Sequence, residues 1–173
     1  MSINDIEHEI TVAARKCFLD LKCEENTNIC GFALYSDPDA VTLNVAVNIE
    51  SHLKEMQQDD PDDKDYYKWS PSEWKYEAVQ PELFRDISYK LFEFSRNIST
   101  NDEHENFKKL VFESSVSALI SLKNEGVFDF GIDDCVIVFS VLDSDDPTNE
   151  IEWIKKLNST TNSNEFESWI STL

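Results

Sequence analysis

The chain reads as an α/β domain of the α+β kind: a small, mainly antiparallel sheet of about three to five strands with helices packed on it. Three observations predict this. In "VTLNVAVNI", Leu43, Val45, Val47 and Ile49 alternate with Asn44, Ala46 and Asn48, the period of two that belongs to a strand with one covered face. "CVIVFSVLD", residues 135–143, is apolar on both faces, the pattern of a strand covered on both sides and central in its sheet. Around them run stretches with apolar residues three and four apart, the helical period.

The first such stretch carries Ile3, Ile6, Ile10, Ala13, Ala14, Cys17, Phe18 and Leu21 on one stripe, with Ser2 or Asn4 as its cap. It is expected to cover the sheet face opposite the two long helices that follow, or to flank the edge. "CGFALYS", residues 30–36, is a strand whose faces differ: Phe32 and Leu34 are large, while Gly31 and Ala33 leave room for close packing. "DPDA" is a turn, so this strand and residues 41–49 form an antiparallel hairpin. Asn48 is placed to cap a short helix over residues 50–58. Residues 59–65, "DDPDDKD", hold five aspartates and must be an exposed loop, since so many carboxylates cannot be desolvated together.

"YYKWSPSEWKYE" follows, residues 66–77. Ser70 as N-cap, Pro71 as first helical residue and Glu73 as third make a capping box, with Trp69 and Trp74 as a hydrophobic staple. The staple places both tryptophans against the body of the fold. Two long helices come next, one from near Pro81 with Leu83, Phe84, Ile87, Leu91 and Phe94 on one side. The other runs over residues 102–124 with Thr100 or Asn101 as cap, ends at Gly126, and has an apolar later half. The two together cover one sheet face. "DSDDPTNE" is a second acidic turn. "IEWIKKL" and "NSNEFESWISTL" are short closing helices, the last with Ser163 or Asn164 as cap. The chain of 173 residues is one globular domain, residues 1–173, with no repeat and no dividing linker.

Charge is the strongest global property. The net value is −20, which repels phosphate backbones and anionic membrane surfaces and attracts basic proteins. No nucleic-acid and no membrane partner is expected. No basic and apolar leader and no long apolar run occurs, and the four cysteines form no C-x-x-C pair. A reduced cytoplasmic setting follows, with the thiols as small buried hydrophobes.

Catalytic and metal patterns are sparse. His8, His52 and His104 stand in polar stretches without ligand spacing and read as solvated surface groups. With three glycines in the whole chain, no phosphate-cradling loop is written. The acidic turns lack calcium-loop spacing. No metal, cofactor or catalytic residue is expected. The best carboxylate pair is Glu73 and Glu77, four apart on a helix and beside tryptophans, which supports an alternative reading as a hydrolase.

"GFALYSDPDA", the asparagine closing the second strand, "YYKWSPSEWKYE", and "VFSVLDSDD" followed by "KKLN" together resemble the bacterial domain-of-unknown-function 4303 family, over residues 31–158. The resemblance implies an association of some members with polymorphic-toxin loci, in the manner of immunity proteins, and it implies no catalytic residues. With the charge, it makes a non-catalytic immunity-type protein the leading expectation, one that neutralises a cognate basic toxin such as a nuclease. The expected contacts are Asp59, Asp60, Asp62, Asp63, Asp65, Asp143, Asp145 and Asp146, with Tyr66 and Tyr67 as anchors. A housekeeping adaptor for another host protein fits the same residues.

Overall fold

A computed structural model describes residues 5–24, 28–128, 135–144 and 147–172. Among these the order is α1 (Ile6–Glu24), β1 (Ile29–Ser36), β2 (Leu43–Ile49), α2 (Glu50–Asp59), α3 (Lys64–Trp69), α4 (Glu82–Ser95), α5 (Asn101–Asn124), β3 (Val136–Val141), α6 (Thr148–Leu157) and α7 (Thr160–Ile170). The expected α+β class holds, with three strands in the order β2-β1-β3. β1 and β2 form the expected antiparallel hairpin, and β3 joins β1 in parallel. The turn between β1 and β2 is organised by Asp37, whose carboxylate accepts from the N–H of Asp39 at 2.9 Å and of Thr42 at 2.6 Å.

β3 is therefore an edge strand, not the central one its apolar pattern suggested. It reads as central because both its faces are covered. Ile137 and Phe139 enter the large core with Phe32, Leu34, Val45 and Val47, while Val136 and Val138 join Ala33 and Ala46 on the opposite face. Its outer edge is closed by side chains. Ile137 N–H donates to Asn158 Oδ1 at 2.9 Å, and Asn158 Nδ2 donates to the Ile137 carbonyl at 2.7 Å. The amide thus mimics a neighbouring strand. At the far end Val141 N–H donates to Glu150 at 3.0 Å.

Helix placement differs from the expectation in one respect. α1, α4 and α5 all pack on the same sheet face, where Phe18 of α1 meets Phe32 edge-on at 5.6 Å. The other face is covered by Trp69, Trp74, Ile154 of α6 and Phe166 of α7. The small residues of β1 make that possible. A Cβ on Gly31 would stand 2.9 Å from Cη2 of Trp74 and 3.1 and 3.2 Å from its ring neighbours, closer than packed carbons approach.

The helix start expected at Ser70 is not formed. Pro71–Glu73 is a single 3-10 turn with no side-chain cap, and Trp74 is already extended, at φ −77° and ψ 158°. The reason is competition from the sheet. Tyr76 pairs with Val47 outside β2, with N···O distances of 2.8 and 3.1 Å, and Val79 N–H donates to Val45 at 3.0 Å. The chain must therefore be extended where a helix would continue. The staple tryptophans are both buried. Among the described residues a capping box lies instead at Thr100, whose hydroxyl accepts from Glu103 N–H while the Glu103 carboxylate accepts from Thr100 N–H. Asn48 caps nothing: its amide reaches Tyr67 and Lys75, holding the aromatic stretch onto β2. α7 is capped by Ser159, earlier than expected, because the helix begins at Thr160.

Candidate functional site: an acidic platform on α2 and α3

α2 leaves β2 without a loop, and its first residue, Glu50, is bound by Lys54 at 2.6 Å and Asn28 at 3.1 Å. Those bonds, that of Lys54 foremost, hold its carboxyl below the usual range. A negative group at a helix N-terminus is favourable. α2 ends at Asp59. Asp60–Asp63 then turn the chain, with Asp60 N–H donating to Met56 and Gln57 Nε2 to the Lys64 carbonyl. Asp59, Asp60, Asp62 and Asp63 are exposed, as expected. Among the described residues none of these four has a lysine or arginine within ion-pair distance.

α3 is anchored from beneath. Lys68 is buried, pairs with Glu165 of α7 at 2.7 Å and reaches Asn162 at 3.3 Å. Trp69 Nε1 donates to the same Glu165 at 3.0 Å, and the Trp69 ring meets Phe166 at 5.2 Å. Residues of this kind are invisible to motif reasoning. Lys68 is one more charge in a charged stretch, and only its place one turn after Lys64, beside a buried tryptophan, hints at an inward direction. Asp65 is half-buried over this anchor, and its carboxyl is pushed up by burial first and by the charge of Glu165 second.

Tyr66 and Tyr67 stand on α3, half-buried, with rings 5.4 Å apart and nearly perpendicular. The Tyr66 hydroxyl donates to Glu73 at 2.8 Å, which raises its own pKa; that of Tyr67 is raised chiefly by burial and then by Asp60. The phenols thus bridge the acidic turn to the 3-10 turn. Glu73 and Glu77 do not share a helix face, since the turn ends at Glu73. Glu73 serves Tyr66, and its backbone carbonyl meets the ring of a half-buried His52 at 3.1 Å. Glu77 is exposed.

Asp143 is exposed in the turn after β3, in left-handed backbone with φ 53°. It shares a cleft of about 190 Å³ with Ser70, Ser72 and Glu77. It therefore lies past the C-terminal end of α3, while Asp59–Asp63 lie before its N-terminal end, and a six-residue helix spans only about 9 Å. Asp145 and Asp146 lie outside the described residues.

One carboxylate escaped the sequence reading. Glu150, in the first turn of α6, borders both that cleft and a larger one of about 450 Å³ lined by Lys108, Phe112, Glu113 and Trp153. Burial pushes its carboxyl up, against the opposing effect of the Val141 N–H it accepts. In sequence it is one acid among many in "DSDDPTNE". Among the described residues no group of three or more His, Cys, Asp or Glu side chains is placed to hold a metal ion. Nor, among the described residues, is any helix long and apolar enough to cross a membrane.

Fold and site define a small, strongly acidic α+β domain carrying an anchored aromatic and carboxylate platform. The chain belongs to the family described as Domain of unknown function (DUF4303), whose family model matches residues 9–159. No curated protein and no solved structure matches it.

Proposed function

We propose that this protein is a binding protein, without catalysis at the platform, that takes a basic protein partner on the α2–α3 face. The finer form of the proposal is an immunity-type role in the cytoplasm, in which the partner is a toxin such as a nuclease whose basic substrate groove is covered. The observation that supports it is the run of exposed aspartates at Asp59, Asp60, Asp62 and Asp63, which have no lysine or arginine partner among the described residues, beside two tyrosines on a helix held by Lys68 and Glu165. Carboxylates that are not internally neutralised keep their field for an incoming cation, and a fixed helix lowers the ordering cost of the anchors.

The test is affinity capture from the host at low and then high salt, with the variant Asp59→Asn/Asp60→Asn/Asp62→Asn/Asp63→Asn in parallel. A basic protein held by the parent, released by salt and bound by the variant at an on-rate lower by about 10-fold or more is the expected result. The identity of that protein separates a toxin from a housekeeping partner. Equal binding kinetics for parent and variant overturn the role of this face. A hydrolase reading has its best-placed carboxyl at Glu150, because that group is in a cleft and held toward its protonated form. Substrate screens with Glu150→Gln as control test it.

A further inference from the structure

The parallel register sets Gly31 beside Val136 and Phe32 beside Ile137. Carried back one residue, it sets Cys30 beside Cys135. In-register neighbours on parallel strands point to the same face. Cys135 lines an open cleft with Ile137, Phe128 and Leu157 of the large core, so it faces that side; Cys30, the extra residue of the β1 bulge, lies between Ile29, which enters the same core, and Gly31, which faces Trp74. The Cys135 thiol donates to the Ile29 carbonyl at 3.7 Å, which shows its sulfur leaning onto β1.

Neighbouring strands lie about 4.8 Å apart, inside the ~4.4–6.8 Å between Cα atoms that a disulfide spans. The Cβ atoms must come to about 3.8 Å, so closing the bond requires roughly 1 Å of approach. Both residues stand outside the regular part of the ladder. Cys135 precedes the first residue of β3, and Cys30 sits where the register of β1 with β2 shifts, between Ile29 and Gly31. Access is unequal. Cys30 is buried, while Cys135 is half-exposed in an open cleft of about 420 Å³ with Lys123, Asn158 and Asn162. The remaining cysteines are set apart. Cys17 is buried in α1 with its thiol pushed up to about 12 by burial, and Cys23 is exposed near the end of that helix.

We propose that Cys30 and Cys135 form a reversible intramolecular disulfide tying β1 to β3, made by a peroxide and undone by thiols. The Cys135 thiolate attacks the peroxide O–O bond, giving a sulfenic acid and one water. The Cys30 thiolate then attacks that sulfur and expels its oxygen as a second water. Two thiols and one hydrogen peroxide become one disulfide and two waters, the sulfurs oxidised and the peroxide oxygens reduced. In a reducing setting such a bond is transient and reports oxidation.

The experiment is treatment of the reduced protein with hydrogen peroxide, alkylation under denaturing conditions, intact mass and peptide mapping, followed by a thermal scan of the oxidised form. Expected is a fall from four alkylated thiols to two, a cross-linked peptide joining Cys30 to Cys135, and a melting temperature higher by about 10 °C for a closed loop of this length. Dithiothreitol restores the original state. Cys135→Ser keeps all its remaining thiols alkylatable after peroxide, whereas Cys23→Ser still loses two. Four alkylatable thiols after treatment, cross-links through Cys23, disulfide-linked dimers, or over-oxidation of Cys23 alone each overturn the proposal.

Discussion

Replacing Gly31 by Ala inserts one methyl group where three ring carbons of Trp74 lie at 2.9, 3.1 and 3.2 Å. Trp74 is buried between the sheet and its own 3-10 turn, so it has no easy retreat. Overpacking of this size costs about 1–3 kcal/mol. Loss of glycine's freedom in the unfolded chain returns about 0.4–1 kcal/mol, leaving a net destabilisation of about 1–2 kcal/mol. The melting temperature then falls by about 2–8 °C. Urea denaturation of four proteins measures it: parent, Gly31→Ala, Trp74→Phe and the pair. Trp74→Phe deletes the part of the ring nearest Gly31, and it sacrifices no hydrogen bond because Trp74 Nε1 has no partner among the described residues. In that background the alanine methyl enters free space, so the cycle gives a coupling of about 1–3 kcal/mol. A Gly31→Ala cost below about 0.5 kcal/mol, or the same cost with and without the indole, refutes the close contact as the reason for glycine here.

Asn158→Ala strips the Ile137 N–H and carbonyl of their edge partner, and equilibrium unfolding should show a loss of about 2–4 kcal/mol, with faster hydrogen exchange at the Ile137 amide. Glu150 is held more protonated in the folded state than in the unfolded one. Folding therefore takes up protons between the two pKa values, and stability contributed by this group falls as pH rises through that window; Glu150→Gln removes that fall, as denaturation curves from pH 4 upward would reveal, about one curve per pH unit. Ala78 is exposed with φ 47°, so Ala78→Gly relieves left-handed strain and should stabilise by about 1 kcal/mol in thermal or urea unfolding.

The period-two alternation of Leu43 to Ile49 and the contrast between Phe32 and Leu34 on one side and Gly31 and Ala33 on the other were enough to place the hairpin and its two unlike faces. They were legible because they follow from strand geometry alone. The position of β3 was not, because apolar character on both faces reports cover above and below the strand, and says nothing about its edges. A side chain twenty-one residues away, Asn158, supplies the missing partner. The capping pattern at Ser70 failed for a related reason. Its local preference is worth about 1 kcal/mol, and the pairing of Tyr76 and Val79 with β2 outweighs it. The acidic turn was readable from composition, whereas the ion pair that steadies it joins Lys68 to Glu165, a separation no motif spans.

Both margins of the three-stranded sheet are occupied. Tyr76 and Val79 lie along β2, and Asn158 and Glu150 along β3. Among the described residues an extended peptide from another molecule meets an interrupted row of backbone groups, with Val45 and Val47 already paired along β2 and Ile137 and Val141 already held along β3, so strand addition is disfavoured as a mode of association. That disfavours the usual route by which small sheets polymerise at high concentration. The side chains on helices and turns are then the surface most open to another molecule, and charge contacts there weaken as ionic strength rises.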